Sequence, residues 1–240
     1  GIMLRKLPLT PTLSPQAGRG SDNEKRATSA QPQGNAIMIE FFFDCSSPWT
    51  YLAFTNIQPL AKELGAEIAW RPILVGGIFN TVNKTMYETR ANPVPAKQAY
   101  TAKDMADWAR LANIKIKMPP TVFPVNAVKS MRGCIWADTH GKLLPFATAV
   151  FEAYWGDDQD VSKDEVLTKI CERVGLDPAK FFAGIAEQSV KDQLKANTDE
   201  AIARGAFGSP TIYLDKTDMY FGNDRLPLIR AALMRKKTAA

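Results

Sequence analysis

The stretch "EFFFDCSSPWTYLAF", Glu40 to Phe54, decides how this chain folds. An apolar, aromatic run ends at Asp44. Within four residues a proline opens a segment whose apolar positions recur three and four apart. That is a strand feeding directly into a helix, with Ser47 just before the first turn and Pro48 inside it. Outward from this corner, "MIEFFF" (Met38 to Phe43) is the strand. "PWTYLAFTNIQPLAKELG" places Trp49, Leu52, Ala53, Ile57, Leu60, Ala61 and Leu64 along one side and stops at Gly65. Pro59 inside that run predicts a kink. "AEIAWRPILV" (Ala66 to Val75) follows as a second strand, its edge limited by Pro72.

The middle of the chain is helical. The periodic segments are Pro95 to Ile114, Phe123 to Gly141, Lys142 to Asp158, a helix opened by a Ser162/Glu165 capping box, "DPAKFFAGIAEQ" and "VKDQLKANTDEAIARGAFG", about six helices in all. "NTVNKTMYETRANPV" between strand and helices reads as a loop. The chain then returns to strands: "PTIYLD" (Pro210 to Asp215) and "MYFG" (Met219 to Gly222) flank a polar turn as an antiparallel hairpin. "NDRLPLIRAALMRKK" is a closing helix capped by Asn223 or Asp224. Residues 1–37, rich in Pro, Ser, Gly and charge and without periodicity, read as a disordered leader rather than a secretory signal, because prolines break "LPLTPTLSP".

Composition removes several function classes. The net charge of +5 is concentrated in residues 1–37, where five basic and two acidic residues leave a net of +3. No Lys/Arg stripe runs along a face, which argues against nucleic acid as a partner. The single histidine, His140, sits in a polar turn, so a histidine metal site or a Ser/His/Asp triad has almost nothing to build on. No apolar run approaches the roughly 20 residues needed to span a bilayer. The three cysteines, Cys45, Cys134 and Cys171, are far apart and form no CxxC, which points to a reducing, cytoplasmic setting. Cys45 reads as a buried small hydrophobe rather than a nucleophile.

Strand–helix–strand, helical insert, hairpin–helix is the plan of an α/β thioredoxin fold with a helical domain inserted between its βαβ and ββα halves. On that plan residues 38–76 and 205–240 form the thioredoxin-like domain and 77–204 the insert. Pro210, opening a strand in "FGSPT", then stands where thioredoxin-like proteins place a cis proline opposite the first helix; by itself it is an ordinary strand-entry proline. The DsbA-like branch carries Cys-Pro-x-Cys at the start of that helix. Here the four places read Ser47-Pro48-Trp49-Thr50. A helix N-terminus offers unpaired N–H groups and partial positive charge, which suit a thiolate. With no cysteine in place the sulfur must come with a ligand, and glutathione is the obvious carrier. Ser47 also reads simply as an N-cap.

Together "FFFDCSSPWTYLA", "PAKQAYTAKDMADWA", "FPVNAVKSMRG", "AYWGDDQDVS", "GSPT" and "YFGNDRL" resemble the 2-hydroxychromene-2-carboxylate isomerases, relatives of kappa-class glutathione transferases, over Met38 to about Met234. The resemblance implies a homodimeric, glutathione-dependent isomerase of an aromatic catabolite, with conjugation of small electrophiles as the alternative activity. It implies that Ser47 holds the glutathione sulfur, and that the Ser209–Pro210 backbone pairs with the cysteinyl backbone. Phe221, Gly222, Asn223 and Asp224 would grip the γ-glutamyl end. Lys97 would lie near the glycyl carboxylate or the substrate's acid groups, and Asn126, with Arg132, would contact the organic substrate. The segment around Asn83 and Asn92 departs in length from the family, and Asn92 is the expected substrate contact. Trp49, Phe123 and Trp155 would line the site.

Overall fold

A computed structural model describes residues 37–239. The expected leader, apart from Ile37, lies outside the described residues. Four strands form one mixed sheet in the order β2-β1-β3-β4. β1 (Met38–Phe43) is central. It pairs in parallel with β2 (Glu67–Pro72) and antiparallel with β3 (Thr211–Leu214), which pairs antiparallel with β4 (Asp218–Phe221). β1 reads as an almost unbroken apolar run because both of its faces are covered. Ile39, Phe41 and Phe43 enter the main core beneath α1 (Pro48–Leu64). Phe42 points the other way, into a smaller cluster with Ile73, Ile78, Ala201, Ala206 and Tyr213.

α1 follows the sequence reading closely. Ser47 is its N-cap, Pro48 occupies the first turn, and Gly65 closes it in the left-handed region at φ 65°, its N–H bonded to the carbonyls of Ala61 and Lys62. The helix continues through Pro59.

Between β2 and β3 the structure has more helix than the sequence suggests. α2 (Val75–Val82) and α3 (Thr85–Ala91) occupy the segment read as a strand end and a loop. They have different reasons for escaping notice. α2 starts where the Asp44 carboxylate, 31 residues upstream, accepts from the Val75 N–H at 2.8 Å. α3 buries no residue and so shows no apolar period. α4 (Pro95–Ala112) ends on Asn113 in the left-handed region. α5 (Val128–Asp138) starts five residues later than expected, after Asn126 Oδ1 accepts from the Val128 N–H. α6 (Leu143–Phe151) passes into a π-helical turn, Glu152–Gly156. α7 (Asp164–Val174) is not opened by the expected capping box: Lys163 is its N-cap, and Ser162 Oγ donates to Asp160 instead. α8 (Pro178–Ile185) and α9 (Gln188–Ala203) complete the layer. After β4 a 3-10 turn, Asn223–Arg225, precedes α10 (Leu226–Ala239); neither Asn223 nor Asp224 caps it with a side chain as expected, since Asn223 is turned inward.

The main core runs without a break from Phe41, Phe43 and Phe54 through Phe151 and Trp155 to Phe146 and Phe181. α5 and α8 approach so closely that a Cβ on Gly184 would stand 2.0 Å from the Trp136 ring. Across the smaller cluster, Arg204 forks onto Glu40 at 2.7 and 2.9 Å and lies 4.0 Å over the Tyr213 ring, tying α9 to β1 and β3. Among the described residues no helix is long and apolar enough to cross a membrane.

Candidate active site

The β1–α1 corner is held by a short polar chain. Asp44, 2% exposed, has no cationic partner among the described residues; its carboxylate accepts from the N–H groups of Ser46 at 2.9 Å and Val75 at 2.8 Å. Burial pushes its carboxyl above the usual range, against the pull of those amides. The Asp44 N–H donates to Ser209 Oγ at 3.0 Å, and Ser209 Oγ lies 2.8 Å from Thr50 Oγ1. The Thr50 N–H in turn donates to Ser47 Oγ at 3.2 Å. So the serine before Pro210 and the serine at the head of α1 are joined through Thr50. The Ser209–Pro210 bond is cis, as its place opposite α1 suggested.

Ser47 Oγ accepts one bond here and keeps its own hydrogen to give away. It stands half-buried at the positive end of a 17-residue helix, where the first-turn N–H groups have no intrahelical partners. An anion is the ligand this position favours.

Cys45 cannot compete as nucleophile. It is 1% exposed, its N–H donates to Met131 Sδ at 3.4 Å, and its carbonyl accepts from Trp155 Nε1 at 2.8 Å. Burial, with the Asp44 carboxyl beside it, pushes its thiol far up. Cys134 and Cys171 are likewise buried, the latter with its thiol pushed up to about 12.

Beside this corner lies a cleft of about 310 Å³, lined by Trp49 from α1, Asp104 and Trp108 from α4, Ser209 and Pro210, and the run Phe221 to Arg225. Seven residues singled out in the sequence thus line it: Trp49, Ser209, Pro210, Phe221, Gly222, Asn223 and Asp224; Ser47, two residues before Trp49, is not among its lining. Gly222 has φ 103°, and a Cβ there would meet Asp224 Oδ1 at 2.8 Å, so the turn that presents this wall needs glycine. Asn223 is 2% exposed; its Oδ1 accepts from Asn56 Nδ2 at 3.0 Å, while its own Nδ2 is buried with no acceptor among the described residues.

The other expected residues stand apart from the cleft wall. Lys97 is exposed in the first turn of α4, and Asn92 is the exposed C-cap of α3. Asn126 is exposed and starts α5. Arg132 is half-buried on α5, its Nε enclosed and without a partner among the described residues. Of the three aromatic residues expected to line the site, Trp49 does; Trp155 is wholly buried in the core, with Phe123 against it at 6.5 Å. The sequence reading missed Asp104, Trp108 and Arg225. The first two sit four apart, on one face of α4, and that spacing was the available signal. Among the described residues no group of three or more His, Cys, Asp or Glu could hold a metal ion.

A family model described as a DSBA-like thioredoxin domain matches residues 38–234. The chain belongs to this DSBA-like family. Within it, the chain is 27% identical over 202 residues to a 2-hydroxychromene-2-carboxylate isomerase of Pseudomonas putida, covering 83% of this chain and 95% of that protein. It is 26% identical over 212 residues to glutathione S-transferase kappa 1 of Rattus norvegicus, covering 83% and 92%. Among solved structures, a 2-hydroxychromene-2-carboxylate isomerase superposes with a TM-score of 0.71 at 25% identity, over 83% of this chain and 95% of that one. A probable DsbA oxidoreductase from Streptomyces coelicolor, at 20% identity and a TM-score of 0.65 over 83% and 89%, shares the fold.

Proposed function

We propose that this DSBA-like chain is a glutathione-dependent isomerase of 2-hydroxychromene-2-carboxylate-like aromatic compounds. One observation carries the reading: at the head of α1, where a dithiol enzyme would carry cysteine, stands Ser47, with a hydroxyl hydrogen to donate. The cleft fits a peptide-like ligand with charged ends. It offers a strand-entry backbone at Ser209–Pro210, the acids Asp104 and Asp224, the base Arg225, and the unpaired amide donor of Asn223. Of the similar proteins, one is named an isomerase of the proposed substrate and another a glutathione S-transferase, which agrees with the two parts of the reading.

When bound, glutathione supplies a thiolate nucleophile. Ser47 Oγ–H donates to the anionic sulfur, and the α1 N-terminus adds favourable potential, so the sulfur stays ionised near neutral pH. Thr50, fixed by Ser209, holds the Ser47 hydroxyl in place. The backbone beside the cis proline takes the ligand's main chain as a short added strand. Gly222, Asn223 and Asp224 take its γ-glutamyl end, the carboxylate of Asp224 meeting an ammonium. Lys97, toward the glycyl carboxylate or the substrate's acid groups, and Asn92, Asn126 and Arg132, toward the organic substrate, stand outside the cleft wall and are proposed on the family resemblance alone.

The similarity to the kappa-class transferase favours one second reading, conjugation of small electrophiles at the same serine. The deciding assay follows isomerisation of the chromene carboxylate with and without glutathione, alongside conjugation of a chloronitrobenzene. Isomerisation that needs glutathione and outpaces conjugation is the expected result. Isomerisation indifferent to glutathione would end the proposal, and faster conjugation would transfer it to the second reading.

A further inference from the structure

The cleft contains one polar group whose state the chain leaves half settled. Asn223 is 2% exposed, and only one end of its amide is used. Oδ1 accepts from Nδ2 of Asn56, at 3.0 Å across 167 residues of sequence. The opposite end, Nδ2, has no acceptor among the described residues. A buried donor left in this state costs on the order of 1–3 kcal/mol, so it is rarely tolerated without a purpose. Either face of an asparagine amide could be turned to a ligand, and they have opposite preferences: the NH₂ end takes a carboxylate, the carbonyl end takes an ammonium.

We propose that Asn56 is a positioning residue that makes this choice. By donating to Oδ1 it leaves the enclosed NH₂ of Asn223, a residue of the cleft wall, as the end that turns to a carboxylate oxygen of the ligand. Asn56 lies on α1, nine residues beyond Ser47, so the helix that presents the sulfur site also sets the polarity of the far end of the cleft. The ligand must then run from anionic sulfur at the head of α1 to a carboxylate at Asn223. The identity of that carboxylate, the α-carboxylate of the γ-glutamyl group, rests on the glutathione reading. The commitment of the amide does not.

The test is Asn56→Asp. An aspartate still bonds to Asn223, but as acceptor from Nδ2, so the contact survives with the amide turned over. Trp49 and Trp108 line the cleft and report binding by fluorescence. Glutathione affinity should fall at least tenfold while the melting temperature stays near that of the parent. The loss should persist at high salt, where repulsion by the added charge is screened. A 4-aminobutyryl-cysteinylglycine analogue, lacking the α-carboxylate, should bind both proteins alike. In an Asn223→Ala background Asn56→Asp should add nothing, because the effect passes through Asn223. Additive losses, or undiminished glutathione binding by Asn56→Asp, would overturn the positioning role and leave the glutathione reading standing. A parent protein that binds no glutathione would remove that reading instead. The amide is then judged without ligand, by NMR of the Asn223 side chain. Nδ2 protons that shift to hydrogen-bonded positions only in Asn56→Asp support the proposal; identical positions in both proteins overturn it.

Discussion

Replacing Ser47 separates its observed task as a helix cap from its proposed task as a donor to a ligand thiolate, because different substitutions remove them independently. Its Oγ accepts from the Thr50 N–H as the α1 N-cap. Loss of such a cap costs about 1 kcal/mol, within a range of roughly 0.5–2. In a domain of this size that lowers the melting temperature by about 2–4 °C for each kcal/mol. Its hydrogen is the proposed donor to a ligand thiolate. A hydrogen bond to a charged group contributes about 1.5–3 kcal/mol, which corresponds to roughly ten- to 150-fold in rate and about one to two units in the pKa of the bound thiol. Ser47→Ala should therefore lose both quantities. Ser47→Asp keeps an acceptor for Thr50 but has no proton to give at neutral pH and repels an anion. It should melt with the parent and yet be as inactive as the alanine variant. The direct measurement is the ultraviolet absorbance of thiolate in glutathione bound to each protein, followed against pH. A bound thiol in Ser47→Ala that ionises at the same pH as in the parent would refute the reasoning, whatever happened to the rate.

Other outcomes follow from features away from the serine. All three cysteines should be silent to a thiol reagent in the native protein and react together on unfolding, since each is buried with its thiol pushed up; rapid labelling of Cys45 would reopen a cysteine mechanism. Gly184→Ala drives a Cβ to 2.0 Å from the Trp136 ring and should cost about 3 kcal/mol, whereas Gly76→Ala, with nothing within 4 Å, should be neutral or stabilising, as paired thermal melts would show. Hydrogen bonds from Arg204 hold the Glu40 carboxyl below the usual range. Because the folded value is depressed, that stabilisation is complete above the ordinary carboxylate value near 4.3 and disappears as pH falls through the folded value. Glu40→Gln should thus melt below the parent at neutral pH, and the gap should close as the pH falls well below 4.

The parts of the fold legible in the sequence are those fixed by neighbours in the chain. The β1–α1 corner needed only an aromatic run, a serine, a proline and a glycine stop, all within 26 residues, Glu40 to Gly65. The hairpin and its entering proline were equally local. α2 escaped because its first turn is completed by Asp44 from another element, and α3 because a helix that buries nothing carries no period. The cleft divides in the same way. The wall from Phe221 to Asp224 was expected through the family resemblance, carried by the consecutive motif "YFGNDRL". Asp104 and Trp108 could not be assigned to it, because the pattern of α4 gives a face but not what the face meets. Asn56 was invisible for a related reason: an asparagine in mid-helix reads as a solvated residue until a partner from the far end of the chain is beside it.

The π-helical turn at Glu152–Gly156 has a consequence for how chemistry on this scaffold varies. It brings the Trp155 indole onto the Cys45 carbonyl, the last acceptor in the chain before the two serines. The corner that carries Ser47 is thus held at two points, one on the sheet side through Thr50 and Ser209, one on the helical side through a buried indole bonded to Cys45. A substitution among the helices between β2 and β3 that shifts this indole should therefore displace the corner carrying Ser47 without touching it, while every residue of the corner stays the same.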